Sequence, residues 1–330
     1  YNELTMGQNG NKDINRIGHK SHTGFNGPRV IGYPESHDEE RIMYKNLQFG
    51  SSSNPSHDVK DLDVALSRMS AMAAVSVMVP GPKMIWHFGE LGMENSIFTC
   101  QNGTVNLPDD GIGGDCKLDT KPQPQWTNNW LSDPERAAIY NDWARLHFLK
   151  INEPVFEGDY TLTSSSSNYT PRIDIFDTNI PVTELRNVII LSNFNVNATN
   201  VNTNFPIAGT WYDLMDETGN TTIESTTTSV NIPAGQFRIF GNQPAQTLST
   251  NDLDRNLFTL HPNPTNTSFY LNVAVKTVEI YDISGKRVKT FNGDFERNIP
   301  FDISSIKTGL YLVKITNGDG LSNTTKLVKL

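Results

Sequence analysis

Glu35-Ser36-His37-Asp38-Glu39-Glu40-Arg41 is the densest concentration of ionisable residues in the chain. Carboxylates beside a histidine suit general acid–base chemistry or the binding of polar groups. A charged cluster after a strand is also commonly a solvated loop, so the pattern alone leaves both readings open. Other groupings are weaker. His19 and His22 lie near His37, but their spacing fits no standard ligand pattern, so no metal site is assigned. Asp109, Asp110 and Asp115 sit in a Gly-rich stretch without the ligand spacing of an EF-hand. Cys100 and Cys116 could close a short loop in an oxidising compartment, worth about 3 kcal/mol in the chain-entropy model, or remain two thiols.

The cluster must be presented by its neighbours. Arg29-Val30-Ile31-Gly32-Tyr33 reads as a short buried strand that ends in it. A long helix follows from Asp58 to Val77, with Leu62, Leu66, Met69 and Ala73 on one face, and Pro80-Gly81-Pro82 stops it. Lys83-Met84-Ile85-Trp86-His87-Phe88 is a second buried strand. A last helix opens with Ser132-Asp133-Pro134-Glu135, read as a capping box, and turns Ile139, Trp143, Leu146 and Leu149 inward. Strand, helix, strand, helix is the repeat of an α/β fold. Two parallel strands make no stable sheet alone, so the rest of that sheet is expected upstream of Tyr1. The chain begins at Tyr1 without an initiator Met or signal peptide, as expected of a truncated sequence or a mature fragment.

Beyond Pro154 the helical pattern stops and Thr, Ser, Asn and Val dominate. Strands are expected at 188–194, 210–213, 229–232 and 236–240, making a small antiparallel domain. Residues 242–256 read as a linker. Five more strands are expected at 268–273, 278–282, 287–291, 309–316 and 324–330, with the regular spacing of an Ig-like sandwich. The whole carries a formal net charge of -9 over 330 residues. That balance argues against nucleic acid and anionic membranes as partners and fits a neutral substrate such as a sugar. No apolar run is long enough to span a bilayer.

Three segments in order resemble the α-amylase superfamily of glycoside hydrolases. Ser36-His37-Asp38 after a strand is similar to the motif ending that family's seventh barrel strand. Pro80-Gly81-Pro82 through Gly89-Glu90-Leu91-Gly92 resembles its eighth strand, and Lys121 to Trp126 with Asp133-Pro134-Glu135-Arg136 its Pro-x-x-Trp segment and eighth helix. The resemblance implies a partial (β/α)8 TIM barrel at 1–155, comprising the last βα units, then an amylase-type β domain at 156–241. By the same resemblance Asp38 is the transition-state stabiliser, and His37 hydrogen-bonds the same sugar. Glu39, Arg41 and Trp126 are substrate-binding candidates, Glu39 and Arg41 being equally readable as a surface ion pair. For Trp86 core packing is the expectation. The family's nucleophile and general acid lie on barrel strands upstream of this chain, which alone is expected to be inactive. Ca2+ stays open as a cofactor by resemblance only.

Residues 257–330 resemble the type A sorting domain of the Bacteroidetes type IX secretion system. The matching blocks are His261-Pro262-Asn263-Pro264, Val278 to Lys286, Phe301 to Ile315 and Thr325 to Leu330. The implied fold is thus multidomain, a partial barrel followed by two all-β sandwich domains. The implied protein is secreted or held at the cell surface, and its partners are an α-glucan polysaccharide and the secretion machinery. Retaining hydrolysis of α-1,4-glucosidic bonds in starch or glycogen is the first functional reading. A 1,4-α-glucan branching transferase and a non-catalytic surface glycan-binding protein are the alternatives.

Overall fold

The computed structural model describes residues 1–106, 116–118, 128–245, 259–318 and 322–330. The chain divides into two compact units, Tyr1–Ala245 and Gln246–Leu330.

The first unit begins with helices α1 (Asn2–Thr5), α2 (Ile42–Phe49), α3 (Leu62–Ser67) and α4 (Met69–Val77). Asp61 caps α3, accepting from the Asp63 and Val64 amides at 3.0 and 3.3 Å. The single helix expected over 58–77 is therefore two, divided at Arg68. Nor does it show one apolar stripe. Every residue of α4 is buried, which suits its run of Ala, Met, Val and Ser rather than an amphipathic pattern. Arg68 itself is fully buried. Its guanidinium donates to the Thr5 carbonyl at 2.7 Å, the Phe194 carbonyl at 2.5 Å and His57 Nε2 at 2.9 Å. Burial, with Arg68 adding to it, lowers the His57 pKa to about 4, so this ring is neutral and accepts.

Helix α5 (Pro134–Asn152) is capped by Asp133, not Ser132, with the Asp133 carboxylate accepting from the Glu135 and Arg136 amides. Ile139, Trp143, Leu146 and Leu149 are buried as the periodicity requires. Residues 29–33 and 83–88 do not form strands. They meet in one parallel bridge, Gly32 to Lys83, with the Gly32 amide donating to Pro82 and the Met84 amide donating to Gly32. Ile31 is 60 % exposed, so the first of these segments is no buried strand. The parallel sense, with helices between, is that of a βαβ crossover. A bridge without flanking ladders gives neither segment enough hydrogen bonds to be a strand.

Eight antiparallel strands follow: β1 (Asp159–Thr163), β2 (Arg172–Phe176), β3 (Asn187–Ser192), β4 (Thr199–Asn202), β5 (Thr210–Asp213), β6 (Thr222–Glu224), β7 (Ser229–Ile232) and β8 (Phe237–Gly241). Six make one sheet in the order β1-β2-β3-β8-β5-β6, and β4 pairs with β7. The sheet is covered on both faces. Val188 and Ile190 of β3 join the helical core with Ile173, Ile175 and Ile239. Ile189 and Leu191 turn the other way, toward Val201, Trp211, Ile232 and Phe240. Two-sided burial explains why β3 is apolar without alternation. It also means that residues up to 155 and the β strands after them share one core.

The second unit has sheets β13-β10-β9 and β12-β11-β14-β15, from β9 (Leu260–His261), β10 (Ser268–Leu271), β11 (Val275–Asp282), β12 (Arg287–Phe295), β13 (Phe301–Asp302), β14 (Gly309–Thr316) and β15 (Ser322–Lys329). Phe269, Phe291 and Phe295 all meet Phe301 between the sheets, with ring centroids 5.1–5.3 Å apart. Asn263 covers part of the edge of β15: its Nδ2 donates to the Lys326 carbonyl at 2.8 Å and its Oδ1 accepts from the Val328 amide at 2.9 Å.

Arg68→Ala leaves carbonyl groups of Thr5 and Phe194 without a donor and opens a cavity. Urea denaturation should show a loss of about 3–5 kcal/mol in the first unit. Arg68→Lys should recover less than half, since one ammonium cannot replace a planar fork. A second expectation concerns pH. Lys150 donates to the Val77 and Val79 carbonyls at 2.7 Å each, and Lys83 to the Gly81 carbonyl at 3.0 Å. Burial lowers Lys150 from 10.5 to about 7 and Lys83 to about 8. Between the folded and unfolded values the unfolded chain binds more protons, so stability rises as pH climbs from about 7 to about 10. Urea midpoints across that range should increase for the parent and rise less steeply in Lys150→Met, where Lys83 alone remains.

Candidate functional site

The turn at 35–41 follows Gly32, and the segment 86–92 follows Lys83. Both therefore leave the parallel bridge at its C-terminal end, where α/β folds gather their functional loops. Two charged groups lie beneath the turn. Glu35 and Arg41 are 4 % and 2 % exposed. Glu35 Oε2 accepts from the Ile42 amide, at the start of α2, at 2.8 Å, and Glu35 Oε1 is 3.9 Å from Arg41 Nη1. Arg41 donates to the His87 carbonyl at 3.1 Å and to His87 Nε2 at 2.9 Å, and stacks over Trp86 at 5.7 Å. Gly89 allows the close approach: a Cβ there would lie 3.1 Å from Glu35 Oε1. Burial raises the Glu35 carboxyl against the opposing pull of the Ile42 amide and Arg41. Burial and Arg41 both lower His87, keeping its ring a neutral acceptor.

The remaining residues of the turn divide by role. Ser36 is buried, donates to the Glu39 carboxylate and accepts from the Asp38 amide at 3.2 Å. Glu40 accepts from the Arg41 and Ile97 amides at 2.8 and 3.0 Å, and from the Ser96 hydroxyl. Its carboxylate is committed to holding the 96–100 segment. His37 and Asp38 stand outside, with side chains 56 % and 67 % exposed and His37 Nε2 3.4 Å from Asp38 Oδ1. Glu39 is exposed beside them. Arg41, read from sequence as a cleft or surface group, is instead buried and joined to Glu35 and His87.

Lys117 was not singled out from sequence. A Cys100–Cys116 disulfide and a hydrogen bond from the Leu118 amide to the Ile97 carbonyl at 2.7 Å bring it to the turn. Its Nζ lies 3.9 Å from Asp38 Oδ1 and donates to the Asp38 carbonyl at 3.3 Å. Knowing the disulfide would have revealed it, but Cys spacing alone leaves the pairing open.

Aromatic rings extend from the turn. His37 and Trp86 are 6.0 Å apart, Trp86 and His87 4.1 Å, His87 and Phe88 5.8 Å, and Phe88 and Trp130 5.5 Å. Phe88 adopts φ +62°, a left-handed conformation unusual for a bulky residue. Arg136 lies over Trp130 and donates to the Leu91 and Gly92 carbonyls, fixing the loop after Phe88 to α5. Trp86, expected in the core, is half-buried in this row. Trp126, Asp109, Asp110 and Asp115 lie outside the described residues. His19 packs edge-on against Tyr160, and His22 Nε2 lies 3.0 Å from the Arg16 carbonyl. Among the described residues no three His, Cys, Asp or Glu side chains group closely enough to hold a metal ion.

Glu35→Ala should cost about 3–5 kcal/mol in urea denaturation, because it strands the Arg41 charge and the Ile42 amide. Asp38→Asn, on the exposed side of the same turn, should change stability by no more than about 0.5 kcal/mol. That contrast separates the groups that hold the turn from those it presents.

Residues 259–330 match the secretion system C-terminal sorting domain. None of the curated proteins matches the chain by sequence. Among solved structures, an AmyP variant in complex with maltotriose is similar at 14 % identity and TM-score 0.50, over 69 % of this chain and 43 % of that one. The α-amylase of Geobacillus thermoleovorans complexed with acarbose aligns at 13 % identity and TM-score 0.41, over 64 % of this chain and 38 % of its own. The α-amylase of H. orenii aligns at 17 % and 0.40, over 68 % and 42 %. The chain spans less than half the length of each of these proteins. The AmyP likeness is one of fold. No helix among the described residues is long and apolar enough to cross a membrane. Residues 259–330 are a type IX secretion sorting domain, and the chain that carries them is secreted or displayed at the cell surface.

Proposed function

We propose that this chain is the C-terminal part of a secreted α-amylase-type glycoside hydrolase that cleaves α-1,4-glucosidic bonds in starch or glycogen with retention. The observation that carries this reading is the exposed His37–Asp38 pair, held at the C-terminal end of a parallel bridge by groups buried beneath it. Of the carboxylates in the turn, Glu35 is buried, Glu40 is tied to the Ser96 hydroxyl and the Ile97 amide, and Glu39 takes the Ser36 hydroxyl. Asp38 and Glu39 are the exposed carboxylates, and the resemblance of Ser36-His37-Asp38 to the family's strand-end motif is what assigns Asp38 to the substrate. In this role it accepts hydrogen bonds from hydroxyls of the scissile sugar, and its charge raises the pKa of the general acid. His37 hydrogen-bonds the same sugar, and where its imidazole accepts from a ring hydroxyl that bond strengthens as positive charge develops in the transition state.

The nucleophile and general acid are proposed to lie on barrel strands upstream of this chain. A groove of about 350 Å³ lined by Ile85, His87, Tyr140, Trp143 and His147 supports that reading. The Trp143 Nε1 and His147 Nε2 atoms are buried there and meet no partner among the described residues. Further barrel segments would cover the groove. The row of rings from His37 to Trp130 supports a second reading, a surface protein that binds glycans without cleaving them, since sugar faces stack on such rings.

The experiment is reducing-sugar release from soluble starch by the full-length gene product beside Asp38→Asn. Activity in the parent with a loss of about 100-fold or more in kcat/KM for the variant is the expected result. Activity untouched by the substitution would remove Asp38 from the site. A folded, starch-binding parent without activity would favour the glycan-binding protein.

A further inference from the structure

The outer face of the second unit's four-stranded sheet departs from the usual pattern. One face of such a sheet packs on the core, here through Val278, Ile280, Val313 and Ile315. The other face is solvated and its residues are ordinarily polar. Over half its length this holds: Thr277, Glu279, Thr290 and Thr324 point outward. At the other end Tyr281 pairs with Leu312 across β11 and β14, and Leu310 pairs with Val328 across β14 and β15. Leu310 and Leu312 are 45 % and 38 % exposed, and Ile283, in the adjoining hairpin turn, is 78 % exposed. No packing within the unit accounts for these side chains, and a contiguous exposed apolar patch marks an interaction surface.

The charges around the patch specify what fits it. Leu312 lies beside Lys326, and Lys314 is the next outward residue of β14. Glu279 is already paired with Arg287 at 2.8 Å. Lys314 sits opposite Glu279 across β11 and β14 and helps hold that carboxylate ionised without forming a close ion pair, and Lys326 forms no ion pair among the described residues. Residues 259–330 carry nine Lys and Arg against six Asp and Glu, whereas residues 1–258 carry eighteen against thirty. The sorting domain is the basic part of an acidic chain. A protein surface with an apolar centre and a carboxylate rim complements it, and such complementarity steers docking.

We propose that Tyr281, Leu310, Leu312 and Val328, flanked by Lys314 and Lys326, form the surface by which the sorting domain docks on an acidic-rimmed apolar patch of the secretion machinery. The proposal rests on the sorting role of residues 259–330 and adds which face makes the contact and what it meets. The side chains concerned are outward, so β-compatible substitutions leave the core between the sheets intact.

The test uses the full chain expressed in a bacterium that has this secretion system, with the exported fraction as readout. Four variants are compared with the parent: deletion of 259–330, Leu310→Thr with Leu312→Thr, Lys314→Glu with Lys326→Glu, and Thr277→Lys at the polar end of the same face. Deletion should abolish export. Both patch variants should lower it about tenfold, the effect of removing an interface hot spot, while retaining a protease-resistant second unit. Thr277→Lys should stay within about twofold of the parent. A photo-crosslinking residue at position 312 should capture a component of the export apparatus whose contact surface is acidic. If deletion blocks export but both patch variants export normally, the docking face is wrong and the sorting role stands. If deletion has no effect, the sorting role itself fails. Crosslinking only between copies of this chain, with export intact in the variants, would make the patch a self-association surface and overturn the proposal.

Discussion

A buried guanidinium with no carboxylate partner among the described residues organises the first unit. Arg68 is charged, fully buried and held by backbone carbonyl groups of Thr5 and Phe194 and by the neutral His57 ring. Desolvation lowers its pKa to about 10, which still leaves it protonated near neutrality. A charge in that position is tolerable only while every donor has an acceptor at the right place. The N-terminal helix, the α3–α4 junction and the loop after β3 must therefore arrive together. This couples segments more than a hundred residues apart in sequence and explains why the helical part and the six-stranded sheet share one core.

The turn at 35–41 repeats the same logic at smaller scale. Glu35 and Arg41 are charged residues with structural work, joined to each other, to the first amide of α2 and to His87. By taking those places they leave His37 and Asp38 facing outward. Glu40 and the Cys100–Cys116 disulfide then bring a second segment, and with it Lys117, against Asp38. A cluster of like residues has become a floor, two ties and an exposed pair. A turn whose own geometry is fixed by buried hydrogen bonds presents its exposed side chains in one arrangement, as pre-organisation requires.

Much of the fold was legible from local pattern. Short strands with alternating residues and turn signals were found within a few residues of their true limits, as at 210–213, 229–232 and 309–316. These succeed because strand periodicity and turn chemistry are encoded by neighbours. The helix over 58–77 was found but not its division, because the cause is a contact from Arg68 to residues far away. The segments 29–33 and 83–88 have strand-like composition yet make a single bridge, because ladder formation depends on partners beside them and not on apolar content. Trp86 read as core and proved half-buried for the same reason.

The site divides in the same way. The sequence by itself determined that carboxylates, a histidine and an arginine gather after a short apolar segment, that two cysteines lie sixteen residues apart, and that the last seventy or so residues form a separate module. Residue chemistry alone did not rank the carboxylates, since Glu35, Asp38, Glu39 and Glu40 are nearly alike and lie within one turn; only the family resemblance singled out Asp38. Tertiary structure decided that Glu35 is buried, Glu40 is tied down and Asp38 is exposed beside His37 and Lys117. The physical reason is that burial and hydrogen-bond partners are set by segments distant in the chain, and these determine whether an ionisable group holds the structure or stays exposed.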